Sequence, residues 1–259
     1  MPFAQLEDAR IHYELAGPSG AAALVFSNSL GASVSMWDPQ IPAFEKQFRV
    51  LRYDTRGHGR SSVTPGPYAI EQLARDVLAL LDELKLDRAY FCGLSMGGQT
   101  GMWLALNAKD RFHKLVLCNT AAKIGTPEMW NTRIEGVRKG GMESISSAVM
   151  ERWFSAGYRT KSPEVIASTK LMFEGADPDG YVANCAAIRD FDAREAIAAI
   201  RVPTLVIAGT HDAATTPADG HYLADRIADA RYVELNAAHL SNIENRDRFN
   251  TELSAFLLS

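Results

Sequence analysis

The chain has 259 residues, of which 47% are apolar and 22% charged, with a formal net charge of −4. These proportions suit a folded protein with a sizeable core and exclude disordered, collagenous and coiled-coil chains, and the length fits one large domain or a domain carrying an inserted lobe. The mild acidity argues against nucleic acid as a partner, since neutralising phosphates takes clustered Lys and Arg.

In chain order, Met1 to Asp8 offers neither a basic start nor an apolar core, so no signal peptide is read there. Phe3 to Leu6 and Ile11 to Leu15 read as an antiparallel hairpin. Leu24-Val25-Phe26 and Val50-Leu51-Arg52-Tyr53 follow as buried strands. Leu73, Val77, Leu80, Leu81 and Leu84 recur at the spacing of an amphipathic helix. Ala89 to Cys92 and Leu115 to Cys118 are two further strands, as are Leu205 to Ala208 and Tyr232 to Leu235. Near-continuous apolar strands that alternate with helices imply a mostly parallel sheet covered on both faces, a doubly wound α/β architecture.

The alternation breaks between residues 122 and 196. Thr126-Pro127, Ser162-Pro163 and Asp177-Pro178 each set a capping side chain before a proline, the pattern of a helix start. This stretch reads as a helical cap, or lid, inserted into a core made of residues 1–121 and 197–259. Its apolar stripes are Trp130, Ile134 and Val137 in one helix and Met142, Ile145, Val149 and Trp153 in another. Asp190 and Asp192 read as caps, the latter with Glu195 at capping-box spacing. Cys92, Cys118 and Cys185 are odd in number and form no CxxC, which suits a reducing compartment. No apolar run nears the ~20 residues of a membrane span. A cytoplasmic protein with no membrane or nucleic-acid partner is the expectation.

Gly93-Leu94-Ser95-Met96-Gly97 follows the strand Ala89 to Cys92 and precedes a helical run. A serine in a sharp strand-to-helix turn stands clear of the sheet with helix N–H groups behind it, and the flanking glycines leave room for the turn. A serine nucleophile needs a base and an acid that orients the base. Of six histidines, His239 lies just past the last strand, and Asp212 lies just past the strand Leu205 to Ala208. Ser95, Asp212 and His239 therefore leave the same sheet edge in the order nucleophile, acid, base. His58 and Asp54 read as residues that fix their own glycine-rich turn, His211 as pointing away from its neighbour Asp212, and His12, His113 and His221 as surface or packing residues. The backbone N–H groups of Met96 and Leu30 are the candidate oxyanion donors. HExxH, paired Cys/His spacing, GxGxxG and Walker patterns are all missing, so neither a metal nor a cofactor is expected.

Four stretches resemble the α/β-hydrolase fold superfamily, and within it the 3-oxoadipate enol-lactonases. They are Phe26 to Gly31, Tyr53 to Ser61, Gly93 to Gly98 and Ala237 to Glu244. The first and last discriminate best, since many superfamily members carry His-Gly where this chain has Asn28-Ser29. Serine rather than aspartate at 95 separates the chain from haloalkane dehalogenases and epoxide hydrolases of the same fold. The resemblance implies hydrolysis of a small enol-lactone with a free carboxylate through an acyl-serine. The carboxylate calls for a cation in the pocket roof. Arg133, beside the Trp130 stripe, is the candidate, with Arg138 and Lys139 as alternatives and Trp130 and Trp153 as wall residues. Rival functions are a general carboxylesterase or carbon–carbon bond hydrolase with the same triad, a non-catalytic receptor on this fold, and a metal-dependent lactonase.

Overall fold

The computed structural model describes residues 2–259. The chain runs through β1 (Phe3–Gln5), β2 (Arg10–Ala16), β3 (Ala23–Ser27), α1 (Ile41–Phe44), β4 (Arg49–Tyr53), α2 (Ile70–Glu83), β5 (Ala89–Leu94), α3 (Met96–Asn107) and β6 (Phe112–Cys118). Five helices follow without a strand: α4 (Pro127–Gly140), α5 (Glu143–Trp153), α6 (Ala156–Lys161), α7 (Pro163–Glu174) and α8 (Pro178–Asp190). The core resumes with β7 (Thr204–Gly209), α9 (Pro217–Arg226), β8 (Arg231–Leu235), α10 (Ser241–Glu244) and α11 (Arg246–Leu257).

Side-chain alternation along the strands builds a core on each face of the sheet. Leu24 and Phe26 of β3 join Cys92 and Leu94 of β5 in one buried cluster, which also takes in Phe44, Phe249 and Phe256 from α1 and α11. Val25 and Phe91 point the other way and pack with Ala74, Val77, Leu80 and Leu81 of α2, Met102 of α3 and Leu223 of α9. The strand order is β1-β2-β4-β3-β5-β6-β7-β8. β1 pairs with β2, and β2 with β4, antiparallel; β4, β3, β5, β6, β7 and β8 are parallel. Parallel strands deliver their C-terminal ends to one edge, where the sites of open α/β sheets collect. The loops after β3, β5, β7 and β8 emerge there.

The helix starts expected between 122 and 196 are present, with one difference in chemistry. Thr126 accepts the Met129 N–H at 3.3 Å, and Asp177 accepts those of Asp179 and Gly180, each at 2.9 Å. Ser162 precedes α7, but its side chain makes no capping bond, and its φ of −131° and ψ of 56° lie outside the extended cap conformation. Pro163, with its fixed φ, opens that helix instead. Asp190 is not a helix-start cap, and Asp192 caps only a turn, its Oδ1 accepting the Arg194 N–H at 3.2 Å without a capping box to Glu195. Asp190 ends α8 and pairs with Arg189 at 2.8 Å, while Asp192 pairs with Arg194 at 2.6 Å across a turn. The capping box lies at α9, between Thr216 and Asp219.

Candidate active site

Ser95 alone turns the chain from β5 into α3, with φ 59° and ψ −113°. An L-residue held at such angles costs about 1–3 kcal/mol and persists where its surroundings over-determine it. The Ser95 N–H donates to the Cys118 carbonyl at 2.9 Å, and the Thr120 hydroxyl donates to the Ser95 carbonyl at 2.7 Å. The flanking glycines are needed for space. A Cβ on Gly93 would stand 2.1 Å from the Gly97 carbonyl oxygen, and one on Gly97 would stand 2.3 Å from that of Ser27.

Asp212 lies three residues beyond β7 and His239 four beyond β8. Asp212 Oδ2 accepts from His239 Nδ1 at 2.8 Å, from Asn119 Nδ2 at 3.0 Å and from the Thr215 hydroxyl at 2.7 Å. Its Oδ1 accepts the N–H groups of Ala214 and Thr215, at 2.8 and 3.1 Å. Burial opposes the carboxylate charge, but attraction and hydrogen bonding from His239, with the bonds from Asn119 and Thr215, outweigh it and pull the pKa down to about 2. Asp212 thus occupies Nδ1 of His239 and leaves Nε2 to exchange a proton with a partner. Ser95 and His239 line a common cavity of about 360 Å³.

Leu30 and Ser29 line the same cavity. Around Leu30, the Ser29 N–H meets Met36 Sδ at 3.4 Å and the Gly31 N–H meets His58 Nε2 at 2.7 Å. Among the described residues the N–H groups of Leu30 and Met96 meet no protein acceptor. Asn28 anchors this loop. Its Oδ1 accepts from Trp37 Nε1 at 3.0 Å and its Nδ2 donates to the Tyr53 carbonyl at 2.9 Å. Asn28, the first of the pair singled out in the sequence, therefore has a positional role. His58 and Asp54 fix loops, as expected. Burial pulls the His58 pKa down to about 4, so it stays neutral and can accept from Gly31. Asp54 accepts from the Val34 and Arg60 N–H groups. It also meets His12 Nδ1 at 2.7 Å, which makes His12 a buried structural partner. His211 points to Asn236, at 2.8 Å.

The other walls of the cavity come from the helices after β6. Trp130 and Arg133 of α4 and Trp153 of α5 line it, with Ile124, Val149, Tyr181 and Ile188. Both tryptophans are also buried among core residues, so each serves packing and wall. Arg138, by contrast, opens into a separate groove of about 730 Å³, between residues 63–67 and helices α4 and α8, which contains none of Ser95, Asp212 and His239. Lys139 is exposed.

Three contributors went unread in the sequence. Arg152, on α5, lines the cavity beside Arg133. Its spacing from Val149 and Trp153 is a signal that could have found it. Asn119 holds Asp212 from a distant loop, which no spacing encodes, and Thr215 holds it from three positions further along the same loop. Among the described residues no three His, Cys, Asp or Glu side chains are grouped to hold a metal.

A model of the α/β-hydrolase fold matches residues 22–140. The chain is 42% identical to 3-oxoadipate enol-lactonase 2 of Acinetobacter baylyi, over 97% of this chain and 94% of that one, and 40% identical to enol-lactonase 1 of the same organism, over 95% and 92%. The chain belongs to the α/β-hydrolase fold family. The family resemblance carried by the four sequence stretches is borne out along the whole chain. A crystal structure of the enol-lactonase from Burkholderia xenovorans LB400 matches with a TM-score of 0.98 and 51% identity, covering all of both chains.

Proposed function

We propose that the protein is a serine hydrolase that opens 3-oxoadipate enol-lactone to 3-oxoadipate, within the β-ketoadipate route of aromatic-acid breakdown. The observation that carries this reading is Ser95 and His239 sharing one cavity, with Asp212 bonded to the far nitrogen of the imidazole. The likeness to the A. baylyi and B. xenovorans enol-lactonases supports the substrate.

Ser95 Oγ attacks the lactone carbonyl as His239 Nε2 takes its proton, and Asp212 holds the imidazole tautomer and stabilises the imidazolium. The carbonyl oxygen gathers charge facing the N–H groups of Leu30 and Met96; one such donor is worth about 3–4 kcal/mol in the transition state. The ring C–O bond then breaks, its electron pair goes to the enol oxygen, and the His239 proton follows. An enol leaves more readily than an alkoxide but stays tethered to the acyl group. Tautomerisation to the ketone removes the nucleophile that would re-close the ring. Water, deprotonated by His239, then releases the carboxylate and frees Ser95. The segment 122–196 acts as the roof of the site, set on a core of residues 1–121 and 197–259. Within the roof Arg133 binds the substrate carboxylate, and Trp130 and Trp153 bound the apolar space around the ring. No helix among the described residues is long and apolar enough to cross a membrane. The three free cysteines support a reducing, cytoplasmic setting.

The test is turnover of chemically generated enol-lactone by the purified protein. We expect release of 3-oxoadipate, and loss of several orders of magnitude in kcat with Ser95→Ala. Rapid hydrolysis of p-nitrophenyl esters with no turnover of the lactone would overturn the substrate and leave a general carboxylesterase. Full lactone turnover by Ser95→Ala would overturn the mechanism.

A further inference from the structure

Arg133 and Arg152 come from successive helices, α4 and α5, and are both half-buried in the wall of the cavity that holds Ser95 and His239. Among the described residues neither is within ion-pair distance of a carboxylate, although many other arginines of the chain, including the buried Arg56, have such a partner. Burial and the nearby charge of Arg133 both act against the Arg152 cation; Tyr181 and Glu151 have smaller, opposite effects. Glu151 itself lines a different groove, with Phe154 and His211. The Arg133 guanidinium lies 5.2 Å from the centre of the Trp130 ring, and Trp130 Nε1 is tied to the Ile124 carbonyl at 2.7 Å, so the platform beneath the cation is fixed. A single arginine in a wall is explained by its stem covering apolar surface. Two that face one cavity, neither ion-paired to a carboxylate and with the charge of Arg133 acting against that of Arg152, are not.

We propose that Arg152 and Arg133 together form a receptor for one carboxylate of the acyl substrate, bridged between the two guanidiniums, and that this pair sets a preference for anionic over uncharged acyl groups. The proposal rests on this cavity being the catalytic site and goes beyond it by naming Arg152 as a specificity residue. Guanidinium forks match a carboxylate geometrically, and a shared anion would relieve their mutual repulsion. The anion would sit in the helical roof, away from the oxyanion donors at the sheet edge, so it would orient the scissile carbonyl rather than compete for it.

The experiment compares two p-nitrophenyl esters, the uncharged butyrate and the anionic hemisuccinate, in the wild type, Arg152→Gln, Arg133→Gln and the double variant. The wild type should favour the hemisuccinate in kcat/KM. Either single variant should cut that preference about tenfold or more, mainly through KM. The double variant should lose little beyond the singles, because one bound carboxylate is shared. Equal losses on both esters, or an unchanged preference, would overturn the proposal. Additive losses would assign two separate anion sites and overturn the bridge. Wild-type protein gives a check that needs no variant to fold: glutarate should inhibit butyrate-ester hydrolysis, and glutaramide should not; equal inhibition would also overturn it. A protein that shows this preference but leaves the enol-lactone untouched would retain the anion receptor and lose the proposed substrate.

Discussion

Asn119 concentrates several demands in one side chain. It stands just past β6 with a left-handed φ of 44°. Its amide donates to Asp212 Oδ2 and, at 3.2 Å, to the carbonyl of Ala238, the residue before His239. Its Oδ1 accepts from the Ser241 hydroxyl at 2.6 Å. The strand-end positions of Ser95, Asp212 and His239 were legible in the sequence, because a strand end followed by Ser, Asp or His is a local pattern. Asn119 was not, because its partners lie roughly 90 to 120 positions away along the chain. The cleanest variant is Asn119→Gly, since glycine keeps the left-handed backbone without the strain alanine would add. It removes one of the bonds that hold Asp212 down, so the Asp212 pKa should rise from about 2 toward the ordinary 3.8. A carboxyl with a depressed folded pKa stabilises the fold fully above its unfolded pKa and loses that contribution as pH falls through the folded value. The full depression of Asp212 is worth about 2 kcal/mol. Part of it should disappear in Asn119→Gly at pH 7, and the stability gap due to Asp212 should narrow between about pH 4 and pH 2. Urea midpoints across that range measure it. In parallel, kcat should fall about tenfold with KM nearly constant, as expected of a residue that acts through Asp212 and His239. A lower midpoint with kcat unchanged would make Asn119 structural alone.

Among the elements, strands were the most legible because buried parallel strands are short, apolar and bounded by turn residues; all eight occur where apolar runs or the N-terminal hairpin pattern predict them. Helix boundaries were legible where proline follows a capping residue, but the side-chain contribution was not. Ser162 and Asp177 carry the same signature, yet Asp177 caps two N–H groups and Ser162 none. A proline fixes its own φ, whereas the backbone angles of the preceding residue decide whether its oxygen can reach back over the first turn. The Asp192 to Glu195 spacing forms no capping box for a related reason, because Asp192 is taken by both the backbone N–H and the side chain of Arg194. These differences give a paired prediction. Asp177→Ala should destabilise the protein by about 1 kcal/mol, and Ser162→Ala by a few tenths at most. Thermal unfolding of the two variants side by side distinguishes them, and equal losses would show that the Ser162 hydroxyl caps α7 in solution.

At the scale of the whole molecule, the break in strand alternation made the helical segment 122–196 legible, and the sequence suggested an inserted unit. Its independence is a separate matter. The cluster on the Leu24 face of the sheet runs without interruption into Trp130, Ile134, Phe154, Phe173 and Tyr181 of the helical segment. The Trp153 carbonyl accepts the Leu240 N–H at 3.0 Å, beside His239, and Ser155 is bonded to Glu244 of α10. Asn184 reaches across to the Arg56 carbonyl at 2.8 Å and to His58 at 3.2 Å. Pieces that share a hydrophobic core lose each other's buried surface when either opens, so they unfold as one cooperative unit. The four tryptophans report on this, since Trp37 and Trp103 lie in the core and Trp130 and Trp153 in the helical segment. One variant, Trp37→Phe with Trp103→Phe, leaves reporters in the segment; the other, Trp130→Phe with Trp153→Phe, leaves them in the core. In each variant the fluorescence transition in urea should coincide with the loss of far-ultraviolet circular dichroism measured on the same sample. A segment transition at clearly lower urea than the circular dichroism would show the helices melting away from an intact sheet. The roof over Ser95 would then be a separable lid rather than a wall of the core.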